Sequence, residues 1–341
     1  MLLGKNLILA TKPFAKEIRS RSWFHAISTL SLLILALCGS LVMPLVLLKL
    51  ACSIIAGLLL IRMFIIYHDY QHHTILTRSP AAEVIMTIFG MYMLSPASIW
   101  KRSHDHHHNH NSKLFSASIG SYPIVTRQKY LDMTPGQKFT YLAVRHPVTI
   151  ALGYFSMFIV GMCLRSFISN PRKHYDSLIA LILHITVAVL LFVFVGWQAW
   201  FFMFFLPFLI AFAMGSYLFY AQHNFPGVKF YENKNWVYEK AALESSSYMK
   251  MHPIMEWFTG NIGYHHIHHL NSKIPFYRLP EVMKHFVELQ NCKTTSLTPK
   301  DMSACFKLKV WDQESNQMIG VKGLEGTAKM RLPLPCKELN G

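Results

Sequence analysis

Residues 260–281 read GNIGYHHIHHLNSKIPFYRLPE and hold His265, His268 and His269. One histidine followed at three and four residues by two more is the spacing that lays side chains along one helical face. The three imidazoles are therefore expected to converge on one point. Neutral imidazole ligates zinc, copper, iron and nickel, so the spacing says metal without naming it. A single box of this kind could equally be a surface histidine run. Two more clusters of similar spacing lie upstream and weigh against that.

Composition decides where such a site can sit. The chain has 341 residues, 52% hydrophobic and 15% charged, and its apolar residues fall in long blocks that no soluble core of this size requires. The reading is an all-α integral membrane protein. A formal charge of +16 could suggest nucleic acid, yet the Lys and Arg sit between and after the apolar blocks, with no basic stripe and no nucleic-acid fold signature. They fit positive-inside topology and attraction to anionic headgroups or an acidic partner. Six cysteines, at 38, 52, 163, 292, 305 and 336, form no CxxC pair, which argues for reduced thiols over a disulfide framework or cysteine zinc sites.

Lys5, Lys12, Lys16, Arg19 and Arg21 precede an uncharged run over 24–48 that is too long for a signal peptide, which places a cytoplasmic N-terminal segment at 1–23. Spans are expected at about 24–43 and 45–67, joined by a tight turn at Pro44, with Arg62 snorkelling to the interface. Immediately after comes HDYQHH, with His68 and His72 four apart. Next, residues 84–100 are apolar but short and contain Gly90 and Pro96. WKRSHDHHHNHN follows from Trp100, with His104, His107 and His108 in the register of the third box, while His106 and His110 fall on other faces.

Three further apolar blocks lie at 148–164, 178–196 and 199–221. If the boxes form one site they must share one side of the membrane, so an even number of crossings separates each pair. Residues 148–164 and 84–100 are accordingly expected to lie in the interface, and 178–196 and 199–221 to form a second hairpin. Four spans in two hairpins then carry a cytoplasmic helical cap built from 68–176 and 222–341. That scheme also leaves almost no charge facing outward except Lys49, in agreement with the positive-inside bias. His184, mid-span, reads as a packing residue. His223, in FYAQHNFPGV at the cap end of the last span, is a further ligand candidate. Together with His68, His72, His104, His107, His108, His265, His268 and His269 it makes nine imidazoles, with His73 a replacement for, or an addition to, His72. One tetrahedral zinc takes four ligands at most, so the inventory implies two metals. The domain division is 1–23, a core of 24–292 and a cytoplasmic C-terminal tail at 293–341.

These motifs resemble the membrane fatty acid desaturases, within them the acyl-lipid, delta-12 or omega-6-like branch. HDYQHH, HDHHH and HHIHH are similar to that family's three boxes, and the likeness extends to RHPV at Arg145, YAQHNF at Tyr220, LESSSY at Leu243, IPFYRLPE at Ile274 and LKVWDQES at Leu308. It covers about residues 25–320. Tyr70 and Gln71 depart from the small pair common in the first box. The resemblance implies a di-iron centre (two Fe2+) on the nine histidines just named, a fatty acyl lipid substrate, dioxygen, and electrons from a separate donor of ferredoxin or cytochrome b5 type.

The chemistry agrees on its own terms. Taking hydrogen from an unactivated methylene needs a strong oxidant, and a pair of irons that activates dioxygen is one of the few biological sources. A carboxylate-rich di-iron bundle would carry Glu-x-x-His repeats, and this chain has none. Nor does it hold a dinucleotide fingerprint, CxxCH or HPGG segment. A related di-iron oxygenase of carotenoids or alkanes shares the histidine logic and is separated by its product. A membrane metal carrier would need ionisable groups within the spans to form a pathway, whereas the histidine boxes lie outside them, and a zinc peptidase would need HExxH, which does not occur.

Overall fold

The computed structural model describes residues 4–114 and 120–322, together with Leu2 and Leu324. The distal part of the expected C-terminal tail, residues 325–341 with Cys336, lies outside the described residues. Among the described residues, four helices are long and apolar enough to cross a membrane: Arg19–Val42, Val46–Gln71, Tyr175–Val195 and Trp197–Ala221. They pair as two hairpins, turned at Met43–Leu45 and at Gly196, whose φ of 107° an L side chain would resist. At the two tips Lys49 Nζ donates to Gln198 Oε1 at 3.0 Å, and Ser53 Oγ to the Phe202 carbonyl at 2.6 Å. Outward faces leave Leu47 77% and Phe194 78% exposed, which is the surface that lipid, not water, covers.

The first three of these helices overrun their hydrophobic blocks at the end away from these tips. Backbone hydrogen bonding continues past the hydrocarbon, so the last turns of Val46–Gln71 carry the first histidine box out of the apolar layer. Residues 84–100 do not make one straight helix. Pro80–Tyr92 and Ala97–His110 meet at 90°, with Leu94 in the left-handed region at the corner. Tyr154–Ser169 is apolar but short.

Arg62 departs from expectation. It is 3% exposed, lies over the Trp257 ring at 4.0 Å, and donates to Thr29 Oγ1 at 3.2 Å and to the Trp257 carbonyl. The short helix Pro253–Phe258 covers the place where the side chain would have reached water, and a ring face plus a carbonyl replace the hydration. His184 is a buried packing residue whose Nε2 lies 2.5 Å from Tyr154 Oη and whose Nδ1 lies 3.2 Å from the Tyr92 carbonyl.

The cap gathers short helices and two small strand pairs. Tyr248–Lys250 runs parallel to Thr294–Ser296, and Val310–Asp312 antiparallel to Gln317–Ile319. A boundary at 292 therefore cuts a packed unit, and residues 294–319 of the expected tail belong to the body. Arg145 fastens them there. It is fully buried with no carboxylate partner among the described residues, and its guanidinium donates to the carbonyls of Pro123 at 2.8 Å and Leu308 at 3.3 Å and to Asn224 Oδ1 at 2.8 Å. Asn224 in turn donates to the Cys305 carbonyl at 2.7 Å.

Candidate metal centre

The first box occupies the last turn of its helix. Gln71 is the final helical residue, His72 caps the helix in helical conformation, and His73 follows with φ 53°, the left-handed residue that closes many helices. That geometry turns His73 to solvent and leaves His68 and His72 facing inward, so His73 is not brought to the site. The second box forms the end of Ala97–His110, and the third the six-residue helix His265–Leu270. A Cβ on Gly263 would lie 2.4 Å from the Met249 carbonyl, so only glycine lets the chain enter this last helix against the strand beside it.

Nine histidines meet here, in two groups. His68, His72, His104, His108 and His268 form one; His107, His223, His265 and His269 form the other. The expectation that each box converges on one point is corrected. In the second and third boxes the residues at i and i+4 serve one group and the residue between them serves the other. Four residues turn a helix through about 400° and three through about 300°, so i+3 points about 100° away from i+4. His104 and His108 thus join His268, while His265 and His269 join His107. The rings of His108 and His269 stack at 4.2 Å where the groups touch.

His104 Nε2 lies 2.9 Å from His68 Nε2 and 3.1 Å from those of His72 and His108, and His108 Nε2 lies 3.1 Å from His268 Nε2. In the second group His223 Nε2 lies 3.0 Å from His107 Nε2 and 2.8 Å from His265 Nε2, with His269 Nε2 3.1 Å from that of His265. One imidazole nitrogen can join one hydrogen bond, yet His104 Nε2 faces three other nitrogens. A cation at each focus resolves the conflict. With metal–imidazole bonds of about 2.1 Å, donors at right angles stand about 3.0 Å apart and tetrahedral donors about 3.4 Å. The spacings match right angles, and five donors exceed the tetrahedral number. The residues present fit metals of higher coordination than structural zinc.

Electrostatics hold the rings in ligating form. Burial strips the imidazolium of its hydration and keeps His265, His268 and His269 well below the ordinary histidine range, and neighbouring rings add to the effect. His223 is pushed down to about 4 by burial, against the opposing pull of the Ser245 carbonyl. That carbonyl accepts from His223 Nδ1 at 3.0 Å, which leaves the Nε2 lone pair for a metal.

Asp69 has a role that spacing alone missed. Its Oδ1 accepts from His68 Nδ1 at 3.0 Å and its Oδ2 from the Phe276 N–H at 2.7 Å, so it sets the His68 tautomer and ties the first box to IPFYRLPE. Its position directly after His68 was the available signal. Trp100 stacks on His104 at 4.7 Å, and Ser121 Oγ lies 3.3 Å from His107 Nδ1. Asp69→Ala is expected to fold and to weaken metal binding about 10–100-fold, read by titrating iron into the metal-free protein; undiminished affinity would remove Asp69 from the centre. His106 and His110 stack on each other at 4.0 Å, outside both groups.

Beside the two groups lies a cavity of about 440 Å³ that reaches His68, His104 and His265. Its walls are mostly apolar, with Ile61, Ile65 and Phe212 among them, and Arg165 and Ser166 also line it.

The comparisons agree with this geometry. The family model described as fatty acid desaturase matches residues 43–294. A fatty acid desaturase of Bacillus subtilis (strain 168) is 30% identical over 280 residues, 82% of this chain and 79% of that one. An sn-1 oleoyl-lipid 12-desaturase of Anabaena variabilis is 23% identical over 272 residues, 76% and 75% of the two chains. A delta(12)-fatty-acid desaturase of Vernicia fordii is 25% identical over 248 residues, 67% and 63%.

Proposed function

We propose that this chain, which belongs to the fatty acid desaturase family, inserts a double bond into the acyl chain of a lipid, using dioxygen and two irons on the cytoplasmic side of the membrane. His68, His72, His104, His108 and His268 would hold one iron, and His107, His223, His265 and His269 the other. The observation that carries this reading is the pair of adjacent all-nitrogen groups opening on an apolar cavity. The irons supply the oxidising strength that an unactivated methylene demands. Two hydrogens leave neighbouring carbons and, with two electrons and two protons from outside, reduce one dioxygen to two waters. A separate protein of ferredoxin or cytochrome b5 type brings the electrons, and the +16 charge of the chain suits an acidic donor.

The chain's own residues bind and exclude. Ile61, Ile65 and Phe212 take the acyl chain out of lipid, where water would otherwise quench a reactive site. Asp69 and the Ser245 carbonyl hold protons on Nδ1 of His68 and His223, so that the Nε2 atoms stay free. Expression in a host that makes no polyunsaturated lipid, followed by gas chromatography of fatty methyl esters, tests the reading. A new unsaturated ester is expected. Hydroxylated product, or none from iron-loaded protein, would overturn it.

The membrane arrangement is open to its own test. Single cysteines at Gln128, Lys240 and Gln198 are expected to react from the cytoplasmic side for the first two and from the opposite side for the third. Labelling of 128 and 240 from opposite sides would sink the four-span topology.

A further inference from the structure

The cavity has two unlike ends. Phe158 and Phe212 both line it, both are buried, and their rings stand 4.2 Å apart, with Tyr154 stacked behind Phe212 at 5.2 Å. Arg165 and Ser166 lie at the other end of the cavity-facing stretch of Tyr154–Ser169. An ester or headgroup set against the aromatic floor would lose its hydration with nothing to replace it. A methyl terminus loses nothing there.

Two glycines sit one helical turn from that floor, Gly161 after Phe158 and Gly215 after Phe212, and both line the cavity. They differ from the packing glycines of the same bundle. A Cβ on Gly153 would lie 1.9 Å from Ser216 Oγ, and one on Gly57 2.9 Å from Ile210. A Cβ on Gly215 meets nothing within 4 Å, and one on Gly161 meets only the Ser156 carbonyl of its own helix, at 3.2 Å. Helix–helix contact does not require glycine at 215; the space in front of it is cavity.

We infer that Gly161 and Gly215 keep the bore open between the histidine groups and the Phe158–Phe212 floor, and so set how much acyl chain fits beyond the carbons that are oxidised. The inference rests on the acyl desaturase reading above. A side chain at 215 fills space that the methyl end of the longest substrate occupies, while shorter chains end before it. Phe212→Ala lengthens the same space.

The test feeds a host expressing the full-length enzyme a ladder of fatty acids differing by two methylenes, and measures the products of each length together with iron per chain. Gly215→Val is expected to raise the ratio of shorter to longer products about tenfold, Gly215→Ala to raise it less, and Phe212→Ala to lower it, all with wild-type iron. Gly136→Ala is the control, because its Cβ also meets nothing but lies in Pro135–Val144, away from the cavity; its ratio stays at wild type. A ratio unmoved in Gly215→Val and Gly215→Ala, or equal loss at every length with iron retained, overturns the inference and leaves the desaturase reading standing. Should Gly215→Val fail to accumulate, the opposed shifts of Gly215→Ala and Phe212→Ala decide. Absence of unsaturated product from iron-loaded wild type at every length overturns the desaturase reading, and the inference with it.

Discussion

The His268→Ala variant is expected to insert and fold, to lose iron, and to form no unsaturated product. His268 comes from the helix whose His265 and His269 serve the second group, yet its Nε2 lies with the first, 3.1 Å from His108 Nε2. Its removal opens one of five donor positions in a buried site. Loss of a group that merely orients a ligand costs about 10–100-fold in metal affinity or activity, so loss of the ligand itself should exceed that. The stability readout separates this from simple damage. In the metal-free protein the imidazoles converge without a cation to share, and deleting one relieves crowding of lone pairs, so the metal-free variant should melt no lower than the metal-free wild type. A metal that binds only the folded chain stabilises it by about 2.7 kcal/mol at a hundredfold excess over Kd. Wild type should therefore gain stability on iron loading, and the variant should gain less. Full activity, or an equal gain with iron, would remove His268 from the centre.

His223→Ala should lose about half of the bound iron and all of the product. This histidine stands outside every box, and its case rests on geometry: Nε2 within 2.8 and 3.0 Å of its neighbours' nitrogens, and Nδ1 held by the Ser245 carbonyl. The second group has four donors, so the loss leaves three. An interfacial histidine with no ligating role would change stability by about half a kcal/mol and leave turnover nearly intact. His110→Ala and His73→Ala supply that baseline, since one stacks on His106 outside both groups and the other points to solvent. Iron content and product measured side by side in the three variants decide the matter. Wild-type iron and product in His223→Ala would leave a centre held by the three boxes alone.

Much of the architecture could be read from sequence because a bilayer enforces it locally. Stretches such as 178–196 must satisfy their own backbone and meet lipid with apolar side chains, so length and hydropathy suffice to find them. The same holds for the boxes, whose spacing of three and four residues is a property of one helix. Parity of crossings, a purely topological constraint, then kept 84–100 and 148–164 from being read as spans, and the structure gives a right-angled pair and a short apolar helix there.

What the sequence alone determined were the properties that a single helix or a single side chain carries: four spans in two hairpins, and an inventory of imidazoles too large for one zinc. Only the tertiary structure decided how those imidazoles are shared. Which of His104, His107 and His108 joins which group depends on the angle at which the second and third box helices face each other, and helical spacing holds no record of that angle. The same is true of His73, excluded by the left-handed turn that ends its helix, and of Arg62, which stacks under Trp257 because a distant segment folds over it. The Ser245 carbonyl that fixes His223 and the Leu308 carbonyl that receives Arg145 are backbone groups. Every residue has a backbone carbonyl, so no residue type could have announced either of them.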